Sequence, residues 1–185
     1  MIELTNKLDY IEILQNQKNP DGLLCSDLLH ESSPFQDLLR TSLHTIEQDV
    51  WQWETAPIRQ SLFFPENLKH KCMAGFFVRS KSEVIIANML YINNIATRYE
   101  EAVEIGSCFL YPDFTIRHPR TGDFYYWEHF GLMDDEGYRN KAYDKLKIYG
   151  NHNILPEINL ILTFETSTNP INSAHIQQII DDYFL

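Results

Sequence analysis

The sequence predicts an α/β fold with a helical N-terminal extension. Three observations lead there. From residue 69 onward, stretches of helical period alternate with short strand-like runs. A turn, His118-Pro119-Arg120-Thr121-Gly122, with Pro early and Gly late, joins two of those runs. The run INLILTF at 158–164 is dominated by apolar residues over strand length, as in a strand buried on both faces.

The elements follow in order. Residues 1–68 read as helical, with Leu8, Ile11 and Leu14, then Leu38, Leu39, Leu43, Ile46 and Val50 at spacings near three and four. Asn19-Pro20-Asp21-Gly22 is a turn between these stretches. Trp51 and Trp53, followed by Ala56-Pro57, close the region, and both tryptophans are expected in packing contacts. Residues 69–185 form the expected core. A helix is predicted over 80–94, with Val84, Ile85, Leu90 and Ile92 as its apolar positions. Strands are predicted over 99–105, 108–117 and 123–130, a helix over 135–149, the strand over 158–164 and a last helix over 172–184.

The chain has 185 residues, 15 basic and 26 acidic, for a formal charge of 15 − 26 = −11. Residues 1–68 hold 4 basic and 11 acidic residues, a net of −7, which leaves −4 for the rest. This balance excludes a nonspecific nucleic-acid coat, whose binding depends on neutralised phosphates. It does not exclude a nucleic-acid enzyme, provided a basic rim surrounds any acidic pocket. With 44% hydrophobic and 13% aromatic residues, the composition is that of a folded chain. The opening MIELTNKLDYIEIL carries acids and no long apolar run, so no signal peptide is expected. No membrane span is expected either. Cys25, Cys72 and Cys108 form no CxxC pair and fit free thiols in a reducing cytoplasm.

The hairpin carries the chemistry. Centred on Pro119-Arg120-Thr121-Gly122, it opposes residues whose numbers sum to 241, so Thr115 faces Tyr126 and Asp113 faces Glu128. Opposed side chains in an antiparallel pair lie about 4.5–5.5 Å apart at Cβ, and like charges so placed are destabilising. A shared proton, a basic neighbour or a divalent cation must compensate, and Mg²⁺ suits carboxylate oxygens. A one-residue bulge would undo the pairing. Glu83 lies in Ser80-Lys81-Ser82-Glu83, a capping-box pattern that also puts a third acid on the first turn of a helix.

Glu83 on a helix, Pro112-Asp113 on one strand and Glu128 on the next resemble the PD-(D/E)XK nuclease superfamily, the restriction-endonuclease-like fold. The stretches VRSKSEVIIANML, YPDFTIRHPRTGDFYYWEHFG and NLILTFET are similar to an uncharacterised bacterial branch of it. The resemblance covers roughly residues 69–170. It implies a core of helix, three-stranded meander, helix and strand, and a Mg²⁺-dependent (Mn²⁺ possible) nuclease acting on DNA rather than RNA. It makes Asp113 and Glu128 the principal metal ligands, Glu83 an auxiliary acid and the His129 carbonyl a further ligand.

The sequence departs from that pattern at the lysine expected two residues after the glutamate, where Phe130 stands. Lys141 and Lys145, four apart on the following helix, are one substitute. His129 is the other, should its strand twist or end early. Arg79, Lys81, Arg117 and Arg120 are candidate phosphate contacts, with Arg117 equally a charge partner for the acids. Tyr125, Tyr126 and Trp127 could stack bases, but burial beneath the helices is the expectation. The competing reading is a catalytically inactive nuclease-like module that binds nucleic acid or protein. A third, a different metal hydrolase using His118, His129 or His152, has no ligand spacing behind it. A homodimer would bring two sites to the two strands of a duplex.

Overall fold

The computed structural model describes residues 36–61, 63–106 and 108–185. Of the N-terminal expectations, those on Leu8, Ile11, Leu14, the Asn19–Gly22 turn and Cys25 lie outside the described residues. The chain divides into two compact units, Met1–Thr45 and Ile46–Leu185. The 56–61 segment, grouped by sequence with the N-terminal region, is tied into the larger unit. There Ser61 N–H donates to the Glu100 carbonyl (3.0 Å), Ala102 N–H donates to the Arg59 carbonyl (2.7 Å), and Gln60 bridges Glu101.

Helix α1 covers Gln36–Thr55. Trp51, expected in packing, is 63% exposed, whereas Trp53 is half-buried under the Arg98 guanidinium, 4.4 Å above its ring. Two short strands, β1 (His70–Lys71) and β2 (Phe77–Val78), form an antiparallel ribbon. Helix α2 (Lys81–Ile92) follows. Ser80 caps it, its Oγ accepting Glu83 N–H at 3.1 Å. The buried positions Glu83, Ile86, Ala87 and Leu90 fall on one helical stripe.

The central sheet has four strands in the order β3 (Thr97–Tyr99), β6 (Phe114–Arg117), β7 (Phe124–Phe130) and β8 (Leu160–Phe164). The first two pairings are antiparallel and β7–β8 is parallel. A parallel pair needs a long crossover, and helix α3 (Glu136–Asn151) supplies it. Asp135 caps α3 by accepting Tyr138 N–H at 2.6 Å. Helix α4 (Ser173–Phe184) starts at the Asn172 cap.

The sheet sorts its side chains by alternation. Phe114, Ile116, Trp127 and Ile161 join Ile86 and Leu90 of α2 and Ile176, Ile180 and Phe184 of α4 in the main core. Leu160, with the half-buried Tyr126 and Leu162, faces the other way onto Leu146 and Tyr149 of α3. Trp127 is fully buried, as expected, while Tyr125 and Tyr126 are half-buried.

The hairpin has the expected register: Thr115 pairs with Tyr126 and Phe114 with Trp127. Its turn closes on Gly122 at φ 74°, a conformation that strains residues with a Cβ. Gly122 N–H donates to the His118 carbonyl at 2.8 Å.

Two expected strands are shorter than read. The one placed at 99–105 ends at Tyr99, because Glu100 turns the chain at φ 46°. The residues beyond form a separate antiparallel ribbon, β4 (Val103–Ile105) with β5 (Cys108–Leu110). The strand placed at 108–117 is interrupted at Tyr111-Pro112-Asp113, where proline has no N–H for a ladder. Among the described residues no helix is long and apolar enough to cross a membrane.

Candidate functional site

Asp113 stands one residue ahead of β6, so the hairpin register carried one step further sets it opposite Glu128. Its Oδ2 accepts His129 N–H at 2.7 Å, and its carbonyl accepts Glu100 N–H at 3.1 Å. Glu128 is 1% exposed on the face of β7 that meets α3. The helix grips both of its oxygens. Lys145 Nζ donates to Oε2 at 2.6 Å and Tyr149 O–H donates to Oε1. Lys145 also donates to the Tyr111 carbonyl at 3.2 Å, which ties the helix to the residues just before Asp113. The groups are four residues apart on α3, one turn, so one helix face presents them together.

From the opposite side of the sheet comes Glu83. It is a cap residue and more: Oε2 accepts Tyr99 O–H (2.6 Å) and Arg79 N–H (3.0 Å), and Oε1 accepts Ser80 O–H (2.8 Å). Its charge also reaches Asp113 and adds to the upward push on that carboxyl's pKa. Glu100 is a fourth acid. It is 8% exposed and pairs with Arg79 through two bonds, Nε to Oε1 at 2.5 Å and Nη2 to Oε2 at 2.8 Å.

The electrostatics follow from burial. Asp113 is pushed well above the ordinary carboxylate range by desolvation first and by the Glu128 charge second, with Lys145 opposing. Glu128 is raised by desolvation, against the pull of Lys145 and Tyr149. Desolvation pulls the Lys145 ammonium down, but Glu128 and Asp113 outweigh it and its pKa rises. Lys145 is therefore a charged donor at neutral pH.

The remaining sequence candidates are placed as follows. Lys141, one turn before Lys145, is exposed. The His129 ring points to the other face of β7, where Nδ1 lies 3.0 Å from Thr163 Oγ1 and Nε2 lies 3.3 Å from Glu165 Oε1, outside hydrogen-bond geometry. Only the His129 backbone N–H meets the acids. Arg79 is committed to Glu100 and to the Phe63 and Phe64 carbonyls, at 2.5 and 2.8 Å. Lys81 is exposed on the first turn of α2. Arg117 lies over the Phe124 ring at 4.5 Å, four residues along the strand from Asp113, or about 13 Å. Arg120 is in the exposed turn beyond it. Of these four, Arg79 has its guanidinium tied up in the fold, and Arg117 and Arg120 lie toward the turn end of the hairpin, away from the acids. The expected basic rim is not formed by them.

Glu100, Tyr99 and Tyr149 were not singled out by the sequence reading. Tyr149 had a signal, its place one turn after Lys145. Glu100 had none, since nothing local marks the left-handed corner that turns it inward.

Among the described residues no three His, Cys, Asp or Glu side chains stand together in metal-binding geometry. The donor chemistry nevertheless fits a hard cation. The oxygens are carboxylates, and a carboxylate oxygen that accepts one hydrogen bond keeps a second lone pair. The formal charge fits as well. With every carboxyl ionised, Glu83, Glu100, Asp113 and Glu128 against Arg79 and Lys145 leave 4 − 2 = 2 negative charges, which a divalent ion offsets and which the raised pKa values of Asp113 and Glu128 would otherwise meet with protons. Comparison with family models, curated proteins and solved structures returns no match to this chain.

Proposed function

We propose that this chain is a divalent-metal-dependent nuclease, with a restriction-endonuclease-like core formed by α2, the β3–β6–β7 meander, α3 and β8. The observation that carries the reading is the buried pair Asp113–Glu128 with Lys145 on it, inside a cluster whose formal charge is two negative. Buried carboxylates in excess of their cations are unfavourable. A Mg²⁺ or Mn²⁺ ion held by Asp113 and Glu128 would offset that charge, lower the pKa of a bound water and polarise a phosphoryl oxygen.

The chain's own groups define the rest. Lys145 stays protonated, so its role is to donate to and stabilise charge on the phosphoryl oxygens rather than to act as a neutral base. Its bond to Glu128 supports it as the substitute for the missing motif lysine, reaching from a helix instead of a strand. Tyr149 fixes the carboxylate plane of Glu128, and the His129 N–H fixes that of Asp113. Glu83 and Glu100 hold the strand corner behind them through Tyr99 and Arg79.

The test is cleavage of plasmid and single-stranded DNA with Mg²⁺ or Mn²⁺, by the wild type and by Asp113→Ala. Metal-dependent cleavage lost in the variant is the expected result. Unchanged cleavage in Asp113→Ala removes the assigned site. A thermal shift on adding Mg²⁺ to the wild type, absent in the variant, is the binding counterpart.

One observation favours the second reading, an inactive nuclease-like binding module. Both Glu128 oxygens are already engaged by protein donors, and Arg79 is engaged within the fold. Nucleic-acid binding without turnover across metals and substrates would select it.

A further inference from the structure

A pocket of about 230 Å³ opens on the face of the sheet that carries Glu128, lined by Trp53, Glu101, Thr115, Phe124 and Tyr126 among others. Thr115 and Tyr126 are paired across the hairpin and lie two residues along their strands from Asp113 and Glu128. Alternation puts both pairs on one face, about 7 Å apart.

The pocket combines aromatic walls, each under an arginine guanidinium, with polar groups. Trp53 and Phe124 meet edge to face, centroids 5.8 Å apart and planes at 80°. The Arg98 guanidinium over the Trp53 ring fixes that wall. Thr115 is 1% exposed, yet its hydroxyl has no hydrogen-bond partner among the described residues. A buried hydroxyl left unpaired is costly, and as both donor and acceptor it can meet either kind of ligand atom. Glu101 adds an acceptor carboxylate, held in place by Arg98. The volume is below the roughly 300–1,000 Å³ of drug-sized sites, which suits one ring system.

We propose that this pocket receives an unpaired nucleobase, belonging to a nucleotide whose phosphate sits at Asp113 and Glu128. The link to that phosphate rests on the nuclease reading; the affinity for a base does not. The span between the two side-chain pairs is one that a single nucleotide bridges from phosphate to base. A base inside this pocket cannot remain stacked in a duplex, so the substrate class is single-stranded nucleic acid or a flipped-out nucleotide. Glu101 accepts from a base N–H, whether an exocyclic amino group or the ring N3–H of thymine, so it does not select among the bases by itself.

The test is calorimetric titration of the full chain, with and without Mg²⁺, with dCMP, dAMP, dGMP and dTMP, and with inorganic phosphate as control. Saturable binding of the nucleotides, weaker for phosphate alone, is expected. Thr115→Val keeps the shape and removes the hydroxyl; it should bind about fivefold more weakly with an unchanged or higher Tm. Trp53→Ala should bind about tenfold more weakly. Flat titrations with all four nucleotides, or both variants binding like the wild type, overturn the pocket. Flat titrations beside cleavage that Asp113→Ala abolishes would overturn the pocket and leave the nuclease reading standing. Binding sensitive to Thr115→Val without cleavage under any metal would do the reverse.

Discussion

Lys145 Nζ lies 2.6 Å from Glu128 Oε2, an ion pair between a helix and a strand whose acid is almost completely buried. Removing one partner of such a pair leaves the other uncompensated. Lys145→Met is expected to destabilise the fold by about 3 kcal/mol in urea unfolding. Cleavage should fall by about 10²-fold or more. The double variant with Glu128→Gln should recover part of the stability and none of the activity. A Lys145→Met protein as stable and active as the wild type would remove the pair from both roles.

Tyr149→Phe removes one hydroxyl and leaves the ring that packs against Leu160 and Ile154. The lost donor to a buried carboxylate is expected to cost about 1.5–3 kcal/mol, read as a lower urea midpoint with an unchanged slope. With Glu128 less firmly held, the Mg²⁺ concentration for half-maximal thermal shift should rise. An unaltered metal response would limit Tyr149 to packing.

Asp113 gives a pH signature. Its folded pKa is raised above the ordinary 3.8 by desolvation and then by Glu128, so the folded carboxyl keeps its proton to higher pH than the unfolded one. Stability from this group is full below the ordinary value and falls as pH rises toward the folded pKa. Without metal, unfolding free energy is therefore expected to decline as pH rises above the ordinary carboxylate range. Mg²⁺ should flatten that decline, and Asp113→Asn should reduce it, leaving the part that comes from the buried Glu128. Equal slopes for wild type and Asp113→Asn would contradict the shift.

Arg79 is a structural tie rather than a phosphate contact. It holds Glu100 and two backbone carbonyls at once. Arg79→Ala is expected to cost about 2 kcal/mol of stability, while leaving the salt dependence of any nucleic-acid binding unchanged. A reduced salt slope at wild-type stability would return it to the phosphate-contact role.

Much of the architecture was legible because it rests on local rules. The hairpin register followed from one Pro-to-Gly turn, and it put Thr115 opposite Tyr126 as expected. The cap at Ser80 followed from SxxE, and the apolar run 158–164 contained the parallel strand β8. What was not legible is tertiary. Nothing in the sequence marks Glu100 as a corner or fixes which of Lys141 and Lys145 turns inward. Arg79 reads as a surface cation until its three acceptors are in place. Trp51 was expected in packing, but in the described structure its ring is exposed.

The grip of α3 on Glu128 also orders events during folding. The β6–β7 hairpin is a local structure that can form early and leaves Glu128 hydrated. The carboxylate is dehydrated only when the crossover helix docks, and the same step delivers the ammonium and the phenol that compensate it. Charge burial and charge pairing are thus one event, and the chain need not pass through a state in which Glu128 is dry and alone.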